Sequence, residues 1–561
     1  MKKICTILIL LFVGDFFVSA QPSVFNKIFG GPNNEEGYDV IATNDGGYAI
    51  IGSTGSYGAG DLDVLLVKLD SAATIQWSHV YGGAGSDQAL SLVQANDGGF
   101  VICGKTSGYG AGDFDVMLIK TDSSGNESWM KTFGGVSTER ALNVSQTSDH
   151  GFILAGSTAS YGQGDWDMLF IKTDSVGDTL WTKIMGGPNY DQGTDAEQTT
   201  DGGYIFSGRS ASWGSGIQDG FLAKADANGD TVWSVVFGGT NWDEGMKVKQ
   251  TIDGGYIVTG ASTSFTNGGY DVYLNKIDSA GHITWSKLYA GVHTEATYDV
   301  LQLSDGGYII TGETDSYGPN HYPRIGHQNS TATAHPGDHL LGTNYSNVLA
   351  IRTDATGDTL WARTYGGEFI DEANSIIQTA DGGFMIAAFS SSFGSDSSGF
   401  YLIKTDSMGY AGCYTGYANP VVSTPPTVVM SAFPHTISGL VVTNVPTGTP
   451  LMPTVAAFDA CSAIASVHEE HLSPEHLFVY PNPATNIVTC EISTDDKNFS
   501  EAEITVYDMF GRLIKNVSAR RTKEIQLSVA GFSPGIYEVK IVLTGTNGAE
   551  KRSYELKFAV Q

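Results

Sequence analysis

The chain has few basic residues for its length. Its 561 residues hold 30 Lys and Arg against 60 Asp and Glu, which gives a formal net charge of −30. Proteins that bind nucleic acid present basic stripes to the phosphates, so this balance argues against a nucleic-acid partner. The excess of negative charge favours a soluble protein that can bind cations. The apolar share of 41% is normal for a globular protein and excludes a disordered chain.

Long hydrophobic runs are also absent, except at the N-terminus. The segment "MKKICTILILLFVGDFFVSAQPS" begins with Lys2 and Lys3, continues as a mostly apolar run over residues 4–18, and ends with small residues that suit cleavage. The run is too short for a good membrane helix. We therefore predict that residues 1–20 are a signal peptide and that the mature chain is exported.

Cysteine is scarce, with five in the chain. Cys5 leaves with the predicted signal peptide, and export permits disulfides among the remaining four. Cys413 and Cys461 flank a segment unlike either of its neighbours, so we predict that they pair. Cys103 and Cys490 lie in strand-like runs, where cysteine usually serves as a small buried apolar residue.

Glycine is plentiful, and much of it belongs to an internal repeat. An Asp-Gly-Gly-aromatic word, once altered to Asp149-His150-Gly151-Phe152, places its Asp at positions 45, 97, 149, 201, 253, 305 and 381. The first five steps are 52 residues and the last is 76, so the sixth unit carries 24 additional residues. Each unit contains four short runs rich in Val, Ile, Phe and Tyr, and turn residues separate these runs.

Seven units of four strands, without a helical pattern, predict an all-β fold with a seven-bladed β-propeller over residues 24–413. A solenoid is the alternative. The sequence "FNKIFGG" at residues 25–31 matches the Trp-containing strand that the seventh unit has only in poor form. We therefore predict that this N-terminal strand completes the last blade and closes the ring, which leaves no exposed edge.

Two repeated features are interpreted as scaffold. Trp77 and its equivalents begin an aromatic stripe along one face of a strand, which is typical of packing between blades. A basic residue recurs in the third strand and is followed two residues later by Asp, as in Lys68 and Asp70, which indicates ion pairs or turn caps.

Carboxylates are the main candidates for a binding site. An acidic residue follows Gly-Gly in every unit: Glu35, Asp87, Glu139, Asp191, Asp243, Glu295 and Asp371. The loop between the second and third strands adds further acids to the same face: Asp61, Asp63, Asp113, Asp115, Asp165, Asp167, Asp219 and Asp271. Paired carboxylates near carbonyl groups suit a hard cation such as Ca²⁺, the one cofactor that the pattern suggests. The alternative is that each carboxylate caps backbone amides of a neighbouring loop.

The 24-residue insertion of the sixth unit breaks the symmetry. It holds His321, His327, His335 and His339. His335 and His339 have a spacing that chelates metals on a helix, but Pro336 and Gly337 exclude that helix. A solvated loop is the alternative, and this loop is the first candidate for contact with a specific partner.

The composition changes after Cys413. Residues 414–476 are rich in Pro, Thr and Val and are interpreted as an extended linker or hook. Residues 477–561 alternate strand-like runs with turns, which predicts a small immunoglobulin-like β-sandwich.

Four motifs in this last region carry a resemblance. "VYPNPATN", "VYDMFGRLIK", "SPGIYEVKI" and a final strand resemble the C-terminal sorting domain of the Bacteroidetes type IX secretion system. The residues that carry the match are Tyr480, Pro481, Asn482, Pro483, Tyr507, Gly511, Gly535 and Tyr537. The resemblance implies the type IX machinery as a partner, passage through the outer membrane, removal of the tail, and either attachment to the outer-membrane surface or release.

The propeller resembles repeat proteins that commonly precede this tail. "KTDSVGDTLW" is also similar to the blade word of pyrroloquinoline-quinone-type propellers, which implies architecture only. The main hypothesis is a non-catalytic module that binds a glycan, a protein or an extracellular polymer. A secreted enzyme, either a glycan hydrolase or a quinoprotein-like dehydrogenase, is the alternative, and a structural adhesin module is the third reading. Binding is favoured because no nucleophile stands beside a placed base.

Overall fold

The computed structural model describes residues 24–425 apart from 267–268, 319–344, 394–397 and 419; beyond residue 425 it describes the strands named below. All regular elements in this part are β-strands, and the described residues contain no helix that is long and apolar enough to cross a bilayer. The chain divides into two compact units, residues 1–464 and 465–561.

The first unit is a ring of seven antiparallel four-stranded blades, as the repeat predicted. β1 (Phe25–Gly30) precedes the first blade. Blades 1 to 3 are formed by β2 (Glu35–Ala42), β3 (Tyr48–Thr54), β4 (Asp63–Leu69) and β5 (Ile75–Tyr81); by β6 (Asp87–Gln94), β7 (Phe100–Thr106), β8 (Asp115–Thr121) and β9 (Glu127–Gly134); and by β10 (Glu139–Gln146), β11 (Phe152–Thr158), β12 (Asp167–Thr173) and β13 (Thr179–Met185).

Blades 4 to 6 continue the pattern. They are formed by β14 (Asp191–Gln198), β15 (Tyr204–Ser210), β16 (Asp219–Ala225) and β17 (Thr231–Phe237); by β18 (Lys247–Gln250), β19 (Tyr256–Ser262), β20 (Asp271–Ile277) and β21 (Ile283–Ala290); and by β22 (Glu295–Gln302), β23 (Tyr308–Thr314), β24 (Asn347–Thr353) and β25 (Thr359–Tyr365).

Blade 7 confirms the predicted closure. It consists of β26 (Asp371–Gln378), β27 (Phe384–Ser390), β28 (Gly399–Thr405) and β1, with Phe25 opposite Lys404 and Phe29 opposite Phe400. A strand from the start of the chain therefore completes the last blade. The ring has no free end of the kind that a solenoid would present.

The core lies between adjacent blades. Apart from the half-buried Lys105 of β7, the second and third strands of the blades are buried along their length, as in "DVLLVKL" of β4, because neighbouring blades cover both faces. Trp129 packs against Phe152 of the next blade with ring centroids 6.5 Å apart. Trp361 likewise packs against Phe384 at 5.9 Å. The aromatic stripe thus has the packing role that the sequence predicted.

The Asp-Gly-Gly word forms the turn between the first and second strands. Gly46 has a φ of 81°, in the left-handed region that favours glycine. At the equivalent position of the altered word, His150 adopts a φ of 67°. Asp45 Oδ1 accepts a hydrogen bond of 3.1 Å from the Gly47 N–H and so fixes the turn. We call the side of the propeller that carries these turns the lower face.

A buried cation joins the two lower-face turns of each blade. Lys68 Nζ lies 2.8 Å from Asp45 Oδ2, and the hydrogen bond from this ammonium lowers the pKa of Asp45 to about 2. Asp70 instead caps its own turn by accepting from the Ala72 and Thr74 N–H groups at 2.9 and 2.8 Å. Ion pairing and turn capping both occur, but on different aspartates. The pairs in the described blades are Lys68–Asp45, Lys120–Asp97, Lys172–Asp149, Lys224–Asp201, Lys276–Asp253, Arg352–Asp305 and Lys404–Asp381.

Five strands between residues 415 and 459, together named the belt here, lie along the outside of the ring. They are β29 (Thr415–Tyr417), β30 (Val421–Ser423), β31 (Val429–Met430), β32 (Val441–Val445) and β33 (Ala456–Asp459). In this order they pair antiparallel with the outer strands of blades 6, 5, 4, 2 and 7. The sequence predicted an extended linker or hook here, and the structure adds that this segment satisfies open sheet edges of the propeller.

The second unit contains two antiparallel sheets. β34 (Leu477–Tyr480), β35 (Ile487–Ile492) and β38 (Glu524–Ser528) form one; β36 (Phe499–Asp508), β37 (Leu513–Ala519), β39 (Gly535–Gly545) and β40 (Lys551–Val560) form the other. Tyr480, Tyr507, Gly535 and Tyr537 of the sorting motifs lie in these strands, whereas Pro481, Asn482, Pro483 and Gly511 lie outside the described residues. The packing of the two sheets as an immunoglobulin-like sandwich stays a prediction.

Candidate functional site in the channel and its mouth

The repeated acids after Gly-Gly lie on the upper face, opposite the Asp-Gly-Gly turns. Glu35 is fully buried, and its Oε2 accepts a 2.7 Å hydrogen bond from the Gly31 N–H while Oε1 accepts from Thr54 Oγ1 at 3.0 Å. The other blades repeat this arrangement, with Asp or Glu bound to the second Gly of the pair. The seven acids are thus spread one per blade junction: Glu35, Asp87, Glu139, Asp191, Asp243, Glu295 and Asp371.

A second aspartate meets each repeated acid across most junctions. Asp63 begins β4, and burial raises its pKa to about 6, with Asp87 of the next blade adding to the increase. Burial and a hydrogen bond with Glu295 raise the pKa of Asp271 to about 8. In blade 6 the equivalent position is Asn347. The equivalents of Asp63 in the other blades are Asp115, Asp167 and Asp219, while Asp61, Asp113 and Asp165 are exposed.

These acids act as loop caps in the structure, and calcium binding stays a prediction. In the part of the chain that the structure describes, no group of three or more His, Cys, Asp or Glu is arranged to hold a metal ion. The insertion residues His321, His327, His335 and His339 lie outside the described residues, as does Cys461. Cys103 is a free, fully buried thiol in β7, as predicted.

A cavity of about 320 Å³ occupies the central channel and is lined by the innermost strands of all seven blades. A β-bulge interrupts most of these strands, for example between Gly37 and Asp39 in β2. Bulges re-aim side chains. They help to set which residues line the channel, and simple alternation along the strand does not predict them.

Seven polar side chains lie at one level of the innermost strands, one from each blade, and all of them except Asp195 line the cavity. We call this level the channel ring; its members are Asp39, Ser91, Asn143, Asp195, Lys247, Asp299 and Ser375. Several of them bond the backbone of the next blade: the Leu92 N–H donates to Asp39 at 2.9 Å, and the Ile376 N–H donates to Asp299 at 2.9 Å. The ring therefore joins neighbouring blades, yet its chemistry differs from blade to blade.

Two of the cations that line the channel come from blade 5. Lys247 Nζ lies 3.3 Å from Asp195 Oδ1, and Lys249 Nζ lies 3.1 Å from Glu197 Oε2. Each lysine therefore has a carboxylate partner on blade 4. Asp195 itself is fully buried. Such buried pairs fix the register of the two strands and leave little net charge at this side of the channel.

An aromatic and arginine cluster stands at the upper mouth of the channel on blades 3 and 4. The Arg140 guanidinium lies 5.1 Å from the Trp166 ring, and the Arg209 guanidinium lies 5.5 Å from the Tyr190 ring. The two rings are 6.4 Å apart. Arg209 also pairs with Glu244, and both of these line the cavity. We call Arg140, Trp166, Tyr190 and Arg209 the mouth ladder.

A carboxyl pair lies on the other side of the mouth, on blades 6 and 7. Tyr298 donates a 3.0 Å hydrogen bond to Glu313. Burial, together with the neighbouring Glu372, raises the pKa of Glu313 well above its usual range. The two glutamates are close neighbours, so the carboxyl of Glu372 adds to the effect of burial on Glu313.

The sequence reasoning missed the channel ring, the mouth ladder and this carboxyl pair. It searched for residues that recur in every repeat unit, whereas these residues differ from one unit to the next. Comparison of equivalent positions would have shown the signal, since Asp39, Ser91, Asn143, Asp195 and Lys247 are separated by the 52-residue period. Variation at one position of a strict repeat indicates that the side chains there do not share the structural role of the repeated residues.

Comparison with known proteins covers parts of the chain. Residues 478–552 match the family described as secretion system C-terminal sorting domain. The regulatory protein FlaEY of Caulobacter vibrioides is 24% identical over 200 residues, which cover 31% of this chain and 21% of the relative. The chain therefore spans about a fifth of that relative's length. With the fold and the motifs together, the chain is a seven-bladed β-propeller whose C-terminal region matches the secretion system sorting-domain family, and this match indicates export to the cell surface or the medium.

Proposed function

We propose that this protein is an exported, non-catalytic glycan-binding module whose ligand enters the upper mouth of the propeller channel. One observation carries the proposal: on a scaffold that repeats its turns, caps and ion pairs in every blade, the channel and its mouth hold different side chains in each blade. If these positions had the same structural role in every blade, they would hold the same residue in every blade. A concave surface whose residues differ from blade to blade is typical of a ligand site.

The mouth ladder supports a glycan in particular. Trp166 and Tyr190 are partly exposed, and aromatic faces pack against the apolar faces of sugar rings while their polar edges bind hydroxyls. Arg209 lines the cavity and continues this surface into the channel, and the fully buried Gln192 accepts a 3.1 Å hydrogen bond from Arg209 Nε. The cavity of about 320 Å³ lies at the lower end of the range for small-ligand pockets and suits the end of a chain.

The carboxyl pair favours one second candidate, a glycan hydrolase. A glutamic acid whose pKa is raised by burial, such as Glu313, is what a general acid requires. Retaining and inverting glycosidases, however, hold their carboxyls about 5 Å or more apart. Glu313 and Glu372 are close neighbours, and Tyr298 already donates to Glu313 at 3.0 Å, so binding without turnover fits the geometry better.

The experiment is a glycan array probed with the mature propeller, followed by calorimetry on the best ligand. Trp166→Ala and Tyr190→Ala should each weaken binding about tenfold, as loss of an aromatic contact does. Tyr410→Ala, on the lower face, is the matched control and should change nothing. Release of free sugar that Glu313→Gln abolishes would establish the hydrolase in place of the binding module.

A further inference from the structure

The bulges of the innermost strands place one extra residue per blade in the channel. In β2 the register shifts between Gly37 and Asp39, so Tyr38 has no partner of its own on β3. The same shift occurs in blades 2, 3, 4, 6 and 7, and in blade 5 the equivalent residue, Met246, directly precedes β18. We call these seven residues, all of which line the cavity, the collar: Tyr38, Leu90, Leu142, Thr194, Met246, Tyr298 and Asn374.

The collar lies between the upper mouth and the channel ring. The innermost strands begin at the upper face, and each collar residue directly precedes a ring residue, as Tyr38 precedes Asp39. A bulge re-aims a side chain, and here it brings a further side chain of each blade to the channel wall. A ligand that enters by the upper mouth therefore meets the collar before it meets the ring.

Aliphatic side chains form much of the collar. Leu90 and Leu142, on neighbouring blades, and Met246 of blade 5 line the cavity and are only half-buried. A ligand that covers these side chains gains free energy because it removes apolar surface from water. A hydroxyl group placed against them would lose its hydrogen bonds to water without a replacement. The collar therefore favours a ligand that presents a small apolar group here.

A polar acceptor completes the collar on blade 7. Asn374 lines the cavity and is half-buried, and its Nδ2 donates a 2.9 Å hydrogen bond to the Gly37 carbonyl of blade 1. This bond fixes the orientation of the amide. Within the part of the chain that the structure describes, no hydrogen bond uses Asn374 Oδ1. An N–H group of a ligand in the channel can therefore donate to this oxygen.

We propose that the collar binds the acetamido group of an N-acetylated amino sugar at the end of a glycan, with its methyl group against the aliphatic side chains and its amide N–H donating to Asn374 Oδ1. This inference rests on the proposed glycan-binding function and names the glycan class. An acetamido group carries a methyl and an N–H donor in one substituent, and the collar offers a partner for each. A hydroxyl group at the same ring carbon has no methyl group to cover the leucines.

The test compares ligands that differ in one substituent, by calorimetry with the full mature chain. N-acetylglucosamine trimer and glucose trimer of the same linkage differ in the acetamido or hydroxyl group of each ring, and N-acetylgalactosamine and galactose form a second pair. In at least one pair the acetylated ligand should bind about fivefold tighter or more, because a methyl group is covered and a hydrogen bond is added. A protein that prefers the acetylated ligand in neither pair would overturn the inference.

The other blades supply substitutions that the collar already accommodates. Leu142→Thr copies Thr194 of blade 4 and should reduce the preference to about twofold or less, whereas Leu142→Met copies Met246 of blade 5 and should keep it. Asn374→Leu copies blade 2 and should also reduce the preference, because the acceptor is lost. Leu180→Thr is the matched control, since Leu180 is 57% exposed on the outer strand of blade 3, and it should change nothing.

The variants separate a binding role from a structural one. If Leu142→Met lost the preference as fully as Leu142→Thr, or if neither Leu142→Thr nor Asn374→Leu reduced it, the collar would not be the acetamido site. A protein that binds glycans on the array but discriminates in neither pair keeps the proposed function and loses this inference. A protein that binds no glycan at all loses both.

Discussion

Asp271 of blade 5 hydrogen-bonds Glu295, the acid that begins the innermost strand of blade 6. Two carboxyl groups can share such a contact only when one carries a proton. At the junctions of Asp63, Asp167 and Asp219 a carboxyl group of the next blade also lies nearby, and burial raises the pKa of each of these aspartates to about 6. Blade 6 has Asn347 at this position, which needs no proton.

These junctions predict how stability depends on pH. The unfolded aspartates release their protons near pH 4, whereas the folded ones keep them until pH 6 to 8, so the folded state binds more protons in this window. The free energy of unfolding should therefore fall as the pH rises from about 5 to 9. Melting temperatures across this range measure it, and a steady rise in melting temperature would contradict the interpretation.

Asp271→Asn tests one junction alone. The substitution copies the natural Asn347 and removes the carboxyl that must stay protonated. At pH 8 we expect it to stabilise the propeller by about 1 kcal/mol, and at pH 5 to change little. Asp61→Asn, at an exposed position of the same face, should have no such pH-dependent effect in the same melting experiment.

The lower-face ion pairs predict a clear cost for losing a buried lysine. Lys172 is 1% exposed, and its Nζ donates to the Thr173 carbonyl at 2.7 Å as well as to Asp149. Lys172→Met leaves that carbonyl and that carboxylate without their donor, which should lower the free energy of unfolding by about 2–3 kcal/mol. Lys183→Met removes the much more exposed pair with Asp230, and we expect less than about 0.5 kcal/mol in denaturant titration. If the two variants lowered the free energy of unfolding equally, burial of the lysine would not determine the cost of losing it.

The predicted Cys413–Cys461 disulfide gains support from the ends of the belt. Asn26 Nδ2 donates to the Cys413 carbonyl at 3.0 Å, and the neighbouring Lys27 pairs with Asp459. Both ends of the belt thus reach β1. We expect the unreduced mature chain to be about 2 Da lighter than the reduced one, as one disulfide requires. Cys413→Ser should abolish that difference and speed proteolysis within residues 415–459, whereas Cys490→Ser should do neither.

The sorting domain predicts a change of location. Removing residues 477–561 should leave the propeller folded, because the compact unit of the propeller ends at residue 464. The truncated protein should remain in the periplasm, since the match at residues 478–552 carries the secretion signal. Surface labelling of intact cells measures this. A single substitution in the propeller, Asp61→Asn, is the control and should reach the surface normally.

The sequence predicted the blade number, the strand order and the closure by β1, because a strict period and turn chemistry determine all three. It did not predict the channel ring, since bulges such as the one before Asp39 shift the register and hide which residue faces the channel. It also did not predict the belt strands. Val422 pairs with Tyr289 of blade 5, and such short, non-local pairings leave no periodic pattern.

Closure by β1 has a consequence for the order of folding. Phe25 pairs with Lys404, and β33 then pairs with the other side of β1. The first strand to leave the ribosome is therefore among the last to find its partners. Contacts this distant in sequence slow folding, because a long loop must close before they form. Blade 7 cannot form until β28 has been made, so the ring closes only after synthesis of the whole propeller.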